Sequence, residues 1–265
     1  MPSQVAPMLI DSHVHTDDDR LKHDRAQVLK SARDARVVAQ IVPGISQRLW
    51  PRTKVVCAAE ADLFPCYGLH PCFHAEHQEI HIEELAEWLG RENPVAVGEC
   101  GLDYYTAGAD KAVQQHFFGA QLALAREFDL PVVIHANKAI EDVIRMIRAS
   151  GHYHGMVHSF NGSVQQAQRL ISLGYKLSFG GAVTFERARR LRELVAELPL
   201  DALLLETDAP DQPDAGHHHQ RNEPAYLVSV WQTISKLRKE DPAEVARVTA
   251  QNSIELFGLP AELAS

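Results

Sequence analysis

The stretch PVVIHANKAIEDVIRMIRASGHYHGMVHS, residues 131–159, contains the pattern that decides the fold. Pro131–His135 is a short apolar run rich in β-branched residues, which predicts a buried strand. Ile140–Ser150 has apolar residues at i, i+3, i+4 and i+7, which is typical of an amphipathic helix. Gly155–Ser159 then predicts a second strand. A strand, a helix and a strand in this order indicate a βα unit of a parallel sheet.

The same alternation extends in both directions along the chain. The eight predicted strands are Met8–Asp11, Val37–Val42, Phe64–Leu69, Val95–Glu99, Pro131–His135, Gly155–Ser159, Tyr175–Phe179 and Ala202–Glu206. The helical patterns are Ile82–Glu92, Val113–Phe128, Ile140–Ser150, Val164–Leu173, Phe185–Leu198, Pro224–Lys239 and Pro242–Phe257. We therefore predict a single (β/α)8 TIM barrel, a fold that typically needs about 250 residues, and the chain has 265.

An open, doubly wound sheet is the alternative fold for this pattern. That fold binds dinucleotides through a GxGxxG motif after a strand, and no predicted strand is followed by one. The barrel is therefore the preferred interpretation. The longest irregular segment, Thr207–Asn222, follows the last strand, and loops of that length inside a compact domain are usually functional.

The composition is that of a globular protein, with 45% hydrophobic and 23% charged residues. No apolar run approaches the roughly eighteen residues that a membrane span needs. Residues 1–8 lack the basic and apolar regions of a signal peptide. We expect one cytoplasmic domain over residues 1–265, with no membrane partner. The four scattered cysteines predict free thiols rather than a disulfide framework.

The charge balance restricts the kind of polyanion that the protein binds. The 26 Lys and Arg residues against 35 Asp and Glu residues give a net charge of −9. Sequence-independent coating of duplex DNA rests on neutralising many phosphates with basic side chains, so this class is disfavoured. Any polyanion bound here needs a local source of positive charge. The unusual count is 15 histidines, and their positions carry the functional argument.

Histidines and carboxylates stand where the predicted strands end. His13 and His15 directly follow the first strand, and the period of two of an extended chain points both to the same side. Five more such side chains stand at later strand ends, namely His70, Glu99, His135, His158 and Asp208. In a barrel these ends are neighbours on the rim that carries the active site.

Such a cluster indicates a divalent-metal centre, because crowded imidazoles and carboxylates are costly without a cation between them. The six candidate ligands are His13, His15, Glu99, His135, His158 and Asp208. They exceed the three protein ligands of a simple catalytic zinc site and suit two ions about 3.5–4 Å apart. Structural zinc prefers cysteine ligands, and Cys100, the one cysteine at the predicted rim, is expected to serve packing. We predict two divalent cations, Zn, Mn, Mg or Co.

Seven stretches of the chain carry a family resemblance. They are Leu9–His15, Gly68–Pro71, Val97–Tyr104, Leu130–His135, Val157–Asn161 with the following Gly162, Glu206–Pro210 and Arg221–Pro224. Together they resemble the TatD family of metal-dependent deoxyribonucleases over essentially the whole chain. The run Leu-Leu-Leu-Glu-Thr-Asp-Ala-Pro-Asp, residues 203–211, is similar to the YjjV-like branch.

The resemblance implies a (β/α)8 metal hydrolase with a divided ligand set. One ion would be held by His13, His15 and Asp208 together with a shared Glu99, and the second by Glu99, His135 and His158. Related amidohydrolases commonly bridge their ions with a carboxylated lysine. This chain has Glu99 instead, as TatD-like proteins do.

One departure from the family pattern follows the fifth strand. TatD-like sequences usually have Ser-Arg after that strand's histidine, whereas His135 is followed by Ala136-Asn137-Lys138. The guanidinium fork suited to bidentate phosphate contact is missing, and Lys138 replaces it only as a point charge. The departure affects substrate positioning and leaves the metal ligands intact.

The function we predict is a deoxyribonuclease, an exonuclease, that cleaves phosphodiester bonds with a metal-activated water. Asp208 and Glu99 are the catalytic residues, with Asp208 accepting the proton of the water, and Glu206 orients a histidine from behind. The predicted phosphate contacts are His70, Lys138 and Arg221. Two divalent ions would change the net charge only from −9 to −5, so we expect single-stranded DNA ends as the substrate.

Two other interpretations remain open. The same centre could hydrolyse a small ester, lactone or amide, or an aminoacyl-RNA ester, because fold and metals do not fix the substrate. A metal-dependent binding protein without turnover belongs to a different class, and it would be expected to have lost ligands. In the loop after the eighth strand, the run His217–His219 is expected to be solvated.

Overall fold

A computed structural model describes residues 7–264 of the chain. Of residues 1–8, to which the signal-peptide prediction applies, the first six lie outside this range. No helix within residues 7–264 is both long and apolar enough to cross a membrane.

All eight predicted strands are present. They are β1 (Leu9–Asp11), β2 (Val37–Gly44), β3 (Leu63–Tyr67), β4 (Ala96–Asp103), β5 (Val132–Asn137), β6 (Gly155–Val157), β7 (Tyr175–Phe179) and β8 (Leu203–Leu205). The bounds of β7 agree with the prediction, whereas β4 continues four residues beyond Glu99. The longer β4 brings Asp103 to the end of the strand.

Nine α-helices occur within the described residues. They are α1 (Arg25–Asp34), α2 (Trp50–Ala58), α3 (Ile80–Glu92), α4 (Lys111–Glu127), α5 (Ile140–Ser150), α6 (Val164–Ser172), α7 (Arg189–Glu197), α8 (Leu227–Arg238) and α9 (Pro242–Phe257). The predicted start of α7 at Phe185 is wrong. Gly181–Thr184 forms a short 3-10 helix and Phe185 is extended, so four residues of loop precede α7.

The strands form one eight-stranded sheet in the order β1 to β8. The pair β1–β2 and every pair from β3–β4 to β6–β7 are parallel. Ser12 donates its backbone N–H to the carbonyl oxygen of Leu205 at 2.9 Å, so the chain after β1 lies beside β8. The (β/α)8 barrel is confirmed, and the doubly wound alternative is wrong because its strand order reverses at a switch point.

The described chain divides into two compact units, residues 7–40 with 179–264 and residues 41–178. In the first, Asn252 of α9 donates from Nδ2 to the carbonyl oxygens of Leu200 and Leu203 at 3.0 and 2.8 Å and so ties α9 to β8. In the second, the Nε1–H of Trp50 on α2 donates to the Gly68 carbonyl at 2.9 Å, directly after β3. The single-domain assignment stays a prediction.

Candidate metal centre

In the unit of residues 41–178, three histidines converge on the carboxylate of Glu99. Glu99 lies within β4 and is 2% exposed. Its Oε1 lies 3.0 Å from Nε2 of His70, 3.2 Å from Nδ1 of His135 and 2.9 Å from Nε2 of His158. His70 and His158 follow the carboxyl ends of β3 and β6, and His135 lies within β5, two residues before its end. We call Glu99, His70, His135 and His158 the Glu99 group.

Asp103 holds the outer edge of His135, and the sequence analysis missed it. Asp103 Oδ2 lies 2.9 Å from Nε2 of His135, on the side of the ring away from Glu99. The carboxylate also accepts from the backbone N–H groups of Tyr105 and Thr106 at 2.9 and 2.7 Å, and from Nδ2 of Asn137 at 3.1 Å. A carboxylate held in this way fixes the ring orientation of a metal-binding histidine.

A glycine brings the two strands of this contact close together. Gly101 of β4 is paired with His135 of β5, and it has a φ of +128°. A Cβ atom at this position would collide with the carbonyl oxygen of His135. Glu99, Gly101 and Asp103 follow a spacing of two, and this spacing was the signal in the sequence that could have revealed Asp103.

The electrostatics of the Glu99 group favour a cation. Burial disfavours the charged form of His135, but the hydrogen bonds to Asp103 and Glu99 outweigh it and raise the pKa of His135 to about 9. Burial also works against the Asp103 carboxylate, yet the bond from His135 and the N–H of Thr106 hold the pKa of Asp103 well below its usual range. The carboxylates on the two sides of His135 therefore attract positive charge, either as a proton or as a metal ion, whereas burial lowers the pKa of His70 and keeps that ring neutral.

A cysteine that the sequence analysis passed over lies at the same place. The ligand atoms of His70, Cys72 and His135 are all within 4.8 Å of one another, and Cys72 is half-buried. All four cysteines are free thiols, as predicted. Cys100 is fully buried, in agreement with its predicted packing role.

In the other unit, Asp208 stands between two histidines. Its Oδ1 lies 3.5 Å from Nε2 of His13 and 3.5 Å from Nε2 of His15. The backbone N–H of Asp208 donates to the carbonyl oxygen of His13 at 2.9 Å, so the ends of β1 and β8 fix the position of the carboxylate. We call His13, His15 and Asp208 the Asp208 group.

The spacing in the Asp208 group fits a metal ion. A distance of 3.5 Å exceeds the length of an ordinary N–H···O hydrogen bond. Two ligands that bind one tetrahedral zinc ion at about 2.1 Å lie roughly 3.4 Å from each other. Both groups combine imidazole nitrogen with carboxylate oxygen, which is a donor set for zinc and for other divalent transition metals.

Hydrogen bonds from neighbouring polar residues hold the Asp208 group in position. Gln212 donates from Nε2 to Oδ2 of Asp208. Asp11, fully buried, accepts the backbone N–H of Thr207 at 3.0 Å, the Thr207 hydroxyl and the backbone N–H of His13 at 3.3 Å. Burial raises the pKa of Asp11 to about 8, against the opposing hydrogen bonds of Thr207. Asp11 thus links the two segments that carry the ligands.

The remaining predicted site residues have varied surroundings. Glu206 is fully buried with its carboxylate within 4.8 Å of a ring nitrogen of His13, a placement suited to orienting that histidine. Lys138 is exposed, with a φ of +56°. Arg221 is paired with Asp24 at 2.6 Å and Glu223 at 2.8 Å, so a phosphate would compete with two carboxylates for it. Their roles stay predictions.

The three histidines of the run His217–His219 differ in their exposure to solvent. His218 and His219 are exposed, as predicted for a solvated run. His217 is half-buried and stacks on Tyr226 with ring centroids 3.5 Å apart, and its Nδ1 lies 2.8 Å from Oδ1 of Asp214.

Comparisons of the sequence and of the structure with known proteins identify the family of the chain. A sequence profile described as TatD related DNase matches residues 10–258. The chain belongs to the TatD family. A relative of this TatD protein, "Uncharacterized metal-dependent hydrolase YjjV" of Escherichia coli K12, is 36% identical over 254 residues, 95% of this chain and 98% of the relative. This TatD protein is accordingly a metal-dependent hydrolase.

Two further matches concern structure and activity. The crystal structure of YJJV from Escherichia coli K12 matches this TatD protein with a TM-score of 0.92 and 36% identity, over 95% of this chain and 98% of that one. "3'-5' ssDNA/RNA exonuclease TatD" of Rahnella sp. strain Y9602 is 35% identical over 251 residues, 90% of this chain and 94% of the relative.

Proposed function

We propose that this metal-dependent hydrolase cleaves phosphodiester bonds of DNA, with one divalent ion held by each ligand group. The observation that carries the proposal is the convergence of three imidazole nitrogens on the buried carboxylate of Glu99. Burying so many donors is costly unless a cation binds them. The family description and the name of the Rahnella relative support a nucleic-acid substrate.

The protein residues position the reactants. When bound, divalent ions lower the pKa of water and stabilise negative charge on a phosphate. Asp208 accepts the proton of the attacking water, and its contacts with the His13 backbone and Gln212 hold the carboxylate in place for this transfer. Glu99 would hold the ion of the Glu99 group through its carboxylate, together with the neighbouring imidazole nitrogens. Lys138 and Arg221 supply positive charge to the phosphate, whereas burial lowers the pKa of His70, so that its neutral imidazole contacts the phosphate through a hydrogen bond.

The preferred substrate in this proposal is the end of a single strand. In a chain of net charge −9 the acidic side chains outnumber the basic ones, so it has no excess of positive charge with which to neutralise a long duplex. On single strands, the logarithm of affinity falls by about 0.7 per neutralised phosphate for each unit of log salt concentration. We therefore expect a shallow salt dependence of cleavage.

The test compares substrates that differ in one property. Metal-loaded protein is incubated with end-labelled linear single-stranded DNA, a covalently closed circle of the same sequence, duplex DNA, RNA and an aryl ester. We expect cleavage of the linear strand and not of the circle. Equal cutting of the circle contradicts the preference for ends. Hydrolysis of the ester alone contradicts the nuclease and favours the small-molecule alternative.

A further inference from the structure

A cavity of about 270 Å³ opens between the loops that follow β7 and β8. Its lining residues are Ala182, Phe185, Arg187, Ala188, Gln212 and Pro213. The volume lies just below the range of about 300–1,000 Å³ that is typical of pockets for drug-sized ligands. The cavity therefore suits one flat ring system rather than an extended molecule.

The wall of the cavity combines an aromatic ring with positive charge. The guanidinium carbon of Arg187 lies 5.0 Å from the centroid of the Phe185 ring, and the His218 ring meets Phe185 edge-on at 5.3 Å. Arg187 is exposed. Its long side chain can leave the ring for an anion while a planar group takes the face of Phe185. Aromatic rings and arginines together are the means by which proteins hold single strands.

The cavity is connected to the proposed catalytic carboxylate by one side chain. Gln212 lines the cavity and also donates to Oδ2 of Asp208. A group bound in the cavity would therefore contact the side chain that holds the Asp208 carboxylate. This arrangement distinguishes the cavity from an incidental surface hollow.

The segment that lines the cavity is basic in an acidic protein. Residues 185–193 contain four arginines and two glutamates, whereas the whole chain has a net charge of −9. Arg192 donates to the carbonyl oxygen of Val183 at 2.9 Å and so holds the loop, while Arg187 and Arg189 are exposed. The segment supplies the local positive charge that polyanion binding requires.

We propose that this cavity binds one nucleobase of a single-stranded substrate, with Phe185 as the stacking surface and Arg187 as a contact to the adjacent phosphate. The inference rests on the proposed function, because it assigns the substrate subsite beside Asp208. A base must be unpaired to enter the cavity. The subsite would thus select single strands over duplex without reading the sequence.

The experiment measures binding rather than turnover. Fluorescence anisotropy follows the metal-loaded full chain with a short phosphorothioate single strand that resists hydrolysis, and with an abasic strand of the same length. Phe185→Ala should weaken binding of the normal strand by roughly 5- to 150-fold, the effect of losing one stacked base. It should leave binding of the abasic strand unchanged.

The second variant tests the phosphate contact. Arg187→Ala should lower the slope of log affinity against log salt by about 0.7 for both strands, which corresponds to one phosphate. Arg148→Ala is the matched control, because Arg148 is an exposed arginine on α5. Phe185→Leu, which keeps an apolar side chain, should lose stacking without disturbing the fold, as circular dichroism can verify.

The outcomes separate this inference from the proposed function. Equal weakening of normal and abasic strands by Phe185→Ala and Phe185→Leu overturns the inference, even if the wild type cleaves DNA. A base-dependent loss supports the inference, even if the wild type cleaves no DNA and the nuclease proposal fails. Failure of the wild type to bind either strand overturns both.

Discussion

Around Glu99 the nitrogen–oxygen distances are 2.9–3.2 Å, whereas around Asp208 both are 3.5 Å. The Glu99 group lies at hydrogen-bond distance and is backed by Asp103, so a proton can hold its members together. The donors of the Asp208 group stand too far apart for that. Imidazole and carboxylate donors are thus held in two ways in this protein. A hydrogen-bond network holds the Glu99 group, and the backbone that carries the ligands holds the Asp208 group.

The largest effect should come from Asp208→Asn, which tests the Asp208 group as the site of proton transfer. The amide keeps the size of the side chain and cannot accept the proton of water. Turnover on the linear strand should fall by about 10²- to 10⁴-fold with the fold intact. Asp211→Asn is the matched control, because Asp211 is an exposed neighbour paired with Arg20, and it should retain activity. A near wild-type rate for Asp208→Asn with unchanged metal content would refute this role.

The next largest effect concerns the number of bound ions, because each of the two groups offers its own set of ligands. Elemental analysis and anomalous scattering should find two divalent ions per chain. His15→Ala should lose the ion of the Asp208 group, and His158→Ala the ion of the Glu99 group, with one ion retained in each variant. A fully loaded wild-type chain that never exceeds one ion would rule out the two-site interpretation.

A smaller effect is expected from Asp103→Asn. This change tests the hydrogen bond between Asp103 and His135, which affects the Glu99 group and not the Asp208 group. Loss of the carboxylate that orients His135 should weaken metal binding there by about 10- to 100-fold. The affinity of the Asp208 group should not change. Competition titration with a chelating dye measures both affinities. Asp142→Asn serves as the control, since this carboxylate binds Tyr104 and Arg145 instead. Equal weakening at both groups would show that Asp103 acts on the whole fold.

The smallest effect should follow Thr207→Val, which removes a hydroxyl behind the Asp208 group. Asp11 is fully buried and would lose one donor, so the free energy of unfolding should fall by about 1–3 kcal/mol. Denaturant unfolding measures the change. Thr233→Val in α8 removes a hydroxyl that binds a helix carbonyl, and we expect a change of only about 0.5 kcal/mol. Equal changes in both variants would show that the Asp11 bond adds nothing.

Sequence patterns predicted the eight strands of the barrel but not α1 and α2, and they placed the candidate ligands near the strand ends. The alternation of apolar and polar residues in Tyr175–Phe179 gives a strand with the predicted bounds, and the apolar periodicity of Ile140–Ser150 gives a helix with the predicted bounds. The ligand positions were predictable because a residue at the end of a strand is placed by its own strand. His135 and Asp208 needed no knowledge of distant contacts.

The apolar periodicity predicted a helix at Phe185, where the structure has a loop. Phe185 continues the apolar pattern of α7, but the chain is extended there and the ring lines a cavity. An apolar spacing indicates which side chains are removed from water, but it does not indicate how. The Phe185 ring is partly removed from water in the wall of a cavity, although it does not belong to a helix. The start of α7 was therefore misplaced by four residues.

The sequence by itself determined the order of the strands and which histidines and carboxylates stand at their ends, because both depend on local chain geometry. Only the tertiary structure decided what surrounds these residues. Asp103 reaches His135 through the register of β4 against β5, and Arg221 pairs with Asp24 across 197 positions of sequence. Contacts of this kind depend on how separate segments pack, and packing between distant segments leaves no periodic signal along the chain.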